Sequence, residues 1–204
     1  MKPYFKLKKL FKEYNILNDI GGILSWDMAT FMPEKSRSQR ISQIKIINDN
    51  KKRIFDSISR MKLFEKTLPE KLSKEDKLNF DLMKIKFDYF HEIPFKIIQK
   101  KSLLSIECEG LWRKAKEESN FNVVKKKLSE LVDLVKLESD ILSQKWNKSK
   151  YDCLLSIYDR SFKTEQLKFF FSDIETFIKS NLEKIKKNQS KLEKVSFQNL
   201  LNED

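Results

Sequence analysis

Glycine and proline are scarce in this sequence. Three glycines and four prolines occur in 204 residues, which argues against a sheet protein built on tight turns, because such turns depend on these two residue types. Long helices with few corners suit this composition. A charged fraction of 35% together with 40% hydrophobic residues is typical of helices that have one apolar and one polar face. We therefore predict an all-α fold of long amphipathic helices in a bundle-like array.

Histidine is almost absent as well. Catalytic zinc takes three protein ligands, and many zinc hydrolases place two histidines four residues apart on one helix. The single histidine, His91, opens the sequence HEIPF, where position 95 is Phe, so the second ligand is missing. No local signature pairs His91 with a nucleophilic Cys or Ser, and no glycine-rich phosphate loop occurs. The residues alone predict no catalytic, metal-binding or cofactor-binding residue in this chain.

The two cysteines, Cys108 and Cys153, lie far apart in the sequence. This spacing favours buried free thiols in a reducing compartment over a disulfide framework. The basic N-terminus has no apolar signal-peptide core, and no segment approaches the ~20 apolar residues of a membrane helix. We therefore expect a cytoplasmic protein with no membrane partner.

The net charge of +12 comes from 42 basic and 30 acidic residues. Such a balance raises nonspecific attraction to nucleic acid or anionic lipid. The lysines are nevertheless interspersed with acids and form no single stripe, so we expect no specific nucleic-acid partner. A nonspecific basic nucleic-acid binder stays open as an alternative.

The three-four spacing of apolar residues predicts one helical region over residues 1–204. Gly21 and Gly22 predict a kink or a close helix crossing in the first helix. The stretch NKSKYDCLLSIYDRSFK, residues 147–163, is predicted to be the longest irregular segment. The predicted helices run approximately from Pro3 to Trp26, Ile41 to Met61, Ser73 to Tyr89, Phe95 to Glu118, Phe121 to Leu142 and Thr164 to Ile185.

The stretch SWDMATFMPEKSRSQR, Ser25 to Arg40, differs in character from both flanking helices. It joins a Trp-Asp pair, a Met-Pro step and a basic polar run. Trp26 and Asp27 are expected to close the first helix and to pack or cap the corner to the next. The alternative is that this turn lines a substrate groove in a larger protein.

With its surroundings, this stretch resembles the N-terminal signature of the Taq carboxypeptidase family of zinc metallopeptidases. The first matching block is Tyr14 to Ile44, with Trp26, Asp27, Met32, Pro33 and Arg40 at the characteristic positions. A second block contains Trp112 and Arg113 ahead of Asn120 and Phe121. A third contains Tyr151 and Asp152, followed by Thr164 to Leu167. The blocks keep the family order over Tyr14 to about Ile185.

The resemblance implies a mostly helical cytoplasmic peptidase that removes C-terminal amino acids and is often a homodimer. In that family a His-Glu-x-x-His helix and a later Glu hold zinc, and all of these lie in the second half of a complete member. We therefore expect residues 1–204 to be a truncated N-terminal portion that has no zinc site and is inactive alone. Its partner would be a separately encoded C-terminal catalytic half or a second copy of the chain. A non-enzymatic helical interaction module is the alternative.

Overall fold

The computed structural model describes residues 2–159 and 162–191, which contain helices and no strand. This confirms the all-α prediction. The first of two compact units, Met1–Lys150, is built on α1 (Lys2–Thr30), α2 (Arg37–Arg60), α3 (Lys74–Glu92), α4 (Phe95–Glu117) and α5 (Asn122–Trp146). The second unit, Tyr151–Asp204, contains α6 (Lys150–Tyr158, which begins at the boundary) and α7 (Thr164–Gln189). A single helical region over 1–204 stays a prediction.

Side-chain caps and prolines set several helix starts where the sequence predicted them. The Ser73 hydroxyl accepts a hydrogen bond from the Asp76 N–H at 3.1 Å, and α3 begins at the next residue, Lys74. Pro94 directly precedes α4. The Asn120 side-chain oxygen accepts from the Asn122 N–H at 3.1 Å, and α5 begins at Asn122.

Two local predictions are wrong. The segment 147–163 is not irregular throughout, because α6 occupies Lys150–Tyr158. The segment contains no Gly or Pro, and its apolar residues suffice for a short helix. Its Arg160 and Ser161 lie outside the described residues. For Gly21 and Gly22 the close helix crossing is also wrong, whereas the alternative of a kink stays a prediction. A Cβ at Gly22 would meet nothing within 4 Å, and one at Gly21 would reach only the Lys51 ammonium at 4.0 Å.

Aromatic rings form the main core of the first unit. Phe11, Tyr14, Phe55, Phe64 and Phe87 are all buried, and they come from α1, α2, the α2–α3 connection and α3. Most neighbouring rings meet at tilted or edge-to-face angles, as their quadrupoles favour. These contacts hold α1, α2 and α3 together.

A buried charge joins α3, α4 and α5. Glu138 is 1% exposed, and one of its carboxylate oxygens accepts a hydrogen bond from the Tyr89 hydroxyl at 2.5 Å. The other oxygen forms an ion pair with Lys101, whose ammonium also donates to the Tyr89 hydroxyl at 3.1 Å. The carboxylate is therefore compensated on both oxygens.

Both cysteines are free and buried, as the sequence predicted. Burial and the neighbouring Glu107 raise the pKa of the Cys108 thiol. Among the described residues, no helix combines the length and apolar character that crossing a membrane requires.

Candidate functional site

The corner between α1 and α2 is held by a buried arginine. Arg40 is 9% exposed, and its guanidinium forms an ion pair with Asp27 at 2.5 Å. The same guanidinium donates to the Leu24 carbonyl and, at 2.9 Å, to the Gln43 side-chain oxygen. Leu24 and Asp27 lie in the last two turns of α1, so one side chain of α2 fixes the end of the preceding helix.

A second arginine one turn earlier on α2 connects this corner to α4. Arg37 donates to the Ile106 carbonyl at 3.0 Å and to the Glu109 carboxylate at 3.0 Å. Its side chain is 20% exposed and that of Glu109 is 27% exposed, so the pair is largely shielded from water. Arg37 and Arg40 thus use the same face of α2 to hold α4 and α1.

Gly110 provides the space for the Arg37 guanidinium. A Cβ built at this position would lie 2.4 Å from Arg37 Cζ and 2.6 Å from Nε, closer than any normal contact. A side chain here would force the guanidinium away from its two acceptors on α4. The absence of a side chain at Gly110 is therefore part of the network.

Glu109 forms a second ion pair with Arg113, which lies one turn later on α4. Arg113 also donates to the Ala29 carbonyl at 2.9 Å, so it reaches back to the end of α1. Partial burial acts to raise the pKa of Glu109, but the hydrogen bonds from Arg113 and Arg37 outweigh it, and the pKa lies below its usual range. Glu109 is consequently a carboxylate that bridges two arginines.

Beside this network the corner presents an open, polar cavity and a pair of exposed rings. The cavity has a volume of about 340 Å³ and is lined by Met28, Met32, Glu34, Arg37, Arg113 and Lys114, among others. Trp26 and Phe31 are 59% and 74% exposed, with an edge-to-face contact between ring centroids 5.6 Å apart. The polar network fixes the backbone from which these rings project.

The structure brings together part of the predicted signature. Asp27 and Arg40 pair as the corner interpretation requires, and Arg113 of the second block contacts the first block at Ala29. Trp26 differs from expectation: α1 continues past it to Thr30, and the indole is exposed instead of packed into the corner. Six residues lie between Trp26 and Pro33, which leaves room for the extra turn.

The third block has its own contact inside the second unit. One Asp152 carboxylate oxygen accepts from the Thr164 N–H at 2.8 Å and from the Thr164 hydroxyl at 2.5 Å. This carboxylate accepts a hydrogen bond from a backbone N–H in the first turn of α7. Its negative charge also interacts favourably with the positive end of the helix dipole. Asp152 and Thr164 therefore connect α6 to α7. Tyr151 is 64% exposed.

Sequence reasoning missed Arg37, Glu109 and Gly110. Glu109 is one of 30 acidic residues, and nothing nearby marks it as the partner of an arginine about 70 residues earlier. The one available signal was the spacing of Arg37 and Arg40, three residues apart on one predicted helix, which places both on the same face.

The residues that the structure describes do not fit a catalytic zinc site. His91 is exposed, and its ring stacks on Phe87 with centroids 5.5 Å apart. Within residues 2–159 and 162–191, no three His, Cys, Asp or Glu side chains gather where they could hold a metal ion. We assign no metal chemistry to these residues.

The sequence matches the family model of the carboxypeptidase Taq (M32) metallopeptidases over residues 6–203. The chain belongs to this family. The predicted resemblance is thereby confirmed, including for α1 and α2, which contain the signature. Comparison with curated proteins gives no significant match.

Several solved structures share the fold. The structure of CHT superposes with a TM-score of 0.72 at 20% identity and covers 96% of this chain. Metallocarboxypeptidase 1 of Trypanosoma cruzi gives 0.71 at 20% identity over 96% of this chain. BsuCP gives 0.72 at 18% identity over 91% of this chain. The M32 chain described here spans only 39%, 40% and 37% of the length of these three proteins, respectively.

Proposed function

We propose that this chain supplies the N-terminal helical portion of an M32-type metallocarboxypeptidase and has no peptidase activity by itself. The observation that carries the proposal is the combination of a family match over residues 6–203 with a span of 39% to 40% of two solved relatives. The donor set of the described residues, which does not fit zinc, supports the second part.

In this proposal the catalytic portion, with zinc, comes from a separately encoded chain. A second copy of this chain is the alternative partner. The release of C-terminal amino acids would belong to the assembly of the two chains. Free buried thiols at Cys108 and Cys153 agree with a reducing, cytoplasmic location for it.

The α1–α2 corner would serve as a rigid support in the assembly. Arg40, Arg37 and Arg113 fix the end of α1 against α2 and α4 through hydrogen bonds to backbone carbonyls and carboxylates. Trp26 and Phe31 project from this support and are available to face a catalytic portion or its substrate groove. Aromatic rings of this size are common anchors of protein interfaces.

The test measures zinc content and carboxypeptidase activity of the purified chain. Alone, it should hold no stoichiometric zinc and release no C-terminal amino acid from a synthetic peptide. The DNA downstream of the coding sequence should contain a reading frame with His-Glu-x-x-His, and its product, co-expressed with this chain, should restore activity. About one tightly held zinc per chain, or activity of the chain alone, would contradict the proposal.

The exposed aromatic face of α7 favours a second candidate, a non-enzymatic interaction module. Phe169, Phe170 and Phe171 are 72%, 58% and 59% exposed, and α7 has no buried residue. The three consecutive rings cover more than one face of α7, so a single neighbouring helix cannot bury all of them. If the complex with a catalytic portion forms but has no activity, and Phe170→Asp abolishes it, the module is the better description.

A further inference from the structure

A groove between α1 and α3 differs from the corner site in both shape and charge. It has a volume of about 540 Å³, and its floor includes Phe11 and Met83, each 4% exposed. Ile16 on α1 and Leu82 on α3 line its edges with 49% and 52% exposure. Apolar side chains on two adjacent helices therefore border an open depression.

Lysines dominate the polar lining. Lys8, Lys12 and Lys86 line the groove, and Asp19 is the acidic residue among the lining positions. Lys8 forms an ion pair with Asp76 at 3.3 Å. In the part of the chain that the structure describes, no carboxylate lies within ion-pair distance of Lys12 or Lys86. The groove lining thus has three lysines against one carboxylate, an excess of positive charge.

A further lysine, Lys51 of α2, lies close to Lys86 beside the groove. Lys51 from α2 and Lys86 from α3 both approach the Tyr14 ring, with ammonium-to-centroid distances of 5.6 Å and 5.9 Å. The Lys51 ammonium donates to the Asn18 side-chain oxygen at 3.1 Å, which leaves its charge unpaired. Burial, and then repulsion from Lys86, lower the pKa of Lys51. A carboxylate placed here would relieve this repulsion.

We propose that the groove between α1 and α3 binds an acidic amphipathic helix of a partner protein. The lining positions on α1 run from Lys8 to Asp19, about 16 Å at the rise of an α-helix, which matches roughly three turns of a bound helix. Apolar anchors at three-four spacing would enter between Ile16 and Leu82, and flanking carboxylates would pair with Lys12 and Lys86. The proposal goes beyond the proposed peptidase role and does not depend on it.

The experiment uses the intact chain and two fluorescein-labelled synthetic helical peptides. Both have Leu at three-four spacing; one has Glu and the other Lys at all flanking positions. We expect the wild-type chain to bind the acidic peptide at least about ten-fold more tightly than the basic one, because charge complementarity selects partners. The double variant Lys12→Glu/Lys86→Glu should invert this preference.

The matched control is Lys9→Glu/Lys77→Glu, which reverses two exposed lysines of the same helices outside the groove lining and changes the net charge equally. It should keep the preference of the wild-type chain. Inversion also shows that the groove variant is folded, since an unfolded chain would gain no affinity for the basic peptide. If that variant loses its helical circular dichroism, Lys12→Gln/Lys86→Gln replaces it and should abolish the preference.

Three results would overturn the proposal. The first is an equal loss of preference in the control and groove variants. The second is binding of single-stranded DNA in the groove, more tightly than the acidic peptide and abolished by the groove variant alone. The third is a dimer in analytical ultracentrifugation that the groove variant dissociates, because a second copy would then occupy the groove.

Discussion

At the scale of single residues, Gly110 and Arg37 form a coupled pair. Gly110→Ala should gain roughly 1 kcal/mol of helix propensity, but the new Cβ would displace the Arg37 guanidinium from Ile106 and Glu109. In an Arg37→Ala background only the gain should remain. Chemical denaturation of the two single variants and the double variant should therefore give a coupling free energy of about 1–2 kcal/mol.

Gly22→Ala is the matched control for this cycle, because a Cβ at Gly22 meets nothing within 4 Å. It should stabilise the protein by about 1 kcal/mol in both backgrounds. If Gly110→Ala behaves in the same way as Gly22→Ala, the close packing of Arg37 on Gly110 is refuted.

Glu109 should make the stability of the same network depend on pH. Its folded-state pKa is depressed because hydrogen bonds from Arg113 and Arg37 outweigh partial burial. The stabilisation is therefore present above the unfolded-state pKa of about 4.3 and is lost as pH falls through the lower folded-state pKa. The difference in unfolding free energy between wild type and Glu109→Gln should be constant near neutral pH and should shrink below about pH 4. A difference unchanged by acid would contradict this assignment.

At the scale of helices, Glu138 of α5 makes the arrangement of α3 and α4 depend on one buried charge. Lys101→Met removes the compensating cation and should destabilise the protein by about 3 kcal/mol, because the carboxylate stays buried. Lys101→Met/Glu138→Leu should recover most of this loss, since an apolar pair of similar volume needs no compensation. Thermal unfolding followed by circular dichroism measures both; a double variant less stable than the single one would show that the charge itself is required.

The same scale shows what the sequence could predict. Helices α3 and α4 begin where Ser73 and Pro94 placed them, because caps and prolines act within one turn of the chain. The extent of α1 was underestimated because a Trp-Asp pair does not end a helix. The contact of Arg37 with Glu109 could not be predicted, since it joins residues 72 positions apart and depends on how α2 lies against α4.

At the scale of the whole molecule, the net charge is +12, but many of the positive charges have a negative charge close by. Many lysines pair with acids within their own helix, as Lys52 does with Asp56 and Lys179 with Glu175. Exposed pairs of this kind add little stability, but they shorten the reach of the positive field. In the groove between α1 and α3, by contrast, Lys12 and Lys86 have no such ion pair with any described carboxylate and adjoin apolar surface.

This distribution leads to an expectation for nucleic acid. A 20-nucleotide single-stranded DNA should bind only weakly, with Kd above about 1 µM at physiological salt, and the affinity should fall steeply as salt rises, because dispersed lysines act through counterion release. Unrelated sequences should compete equally, since contacts from lysines to phosphates carry no sequence information. The groove variant and its matched control should weaken binding to the same extent, because each removes the same charge. Fluorescence anisotropy at several salt concentrations measures this; tight, sequence-selective binding that persists at physiological salt would instead establish the chain as a nucleic-acid binder.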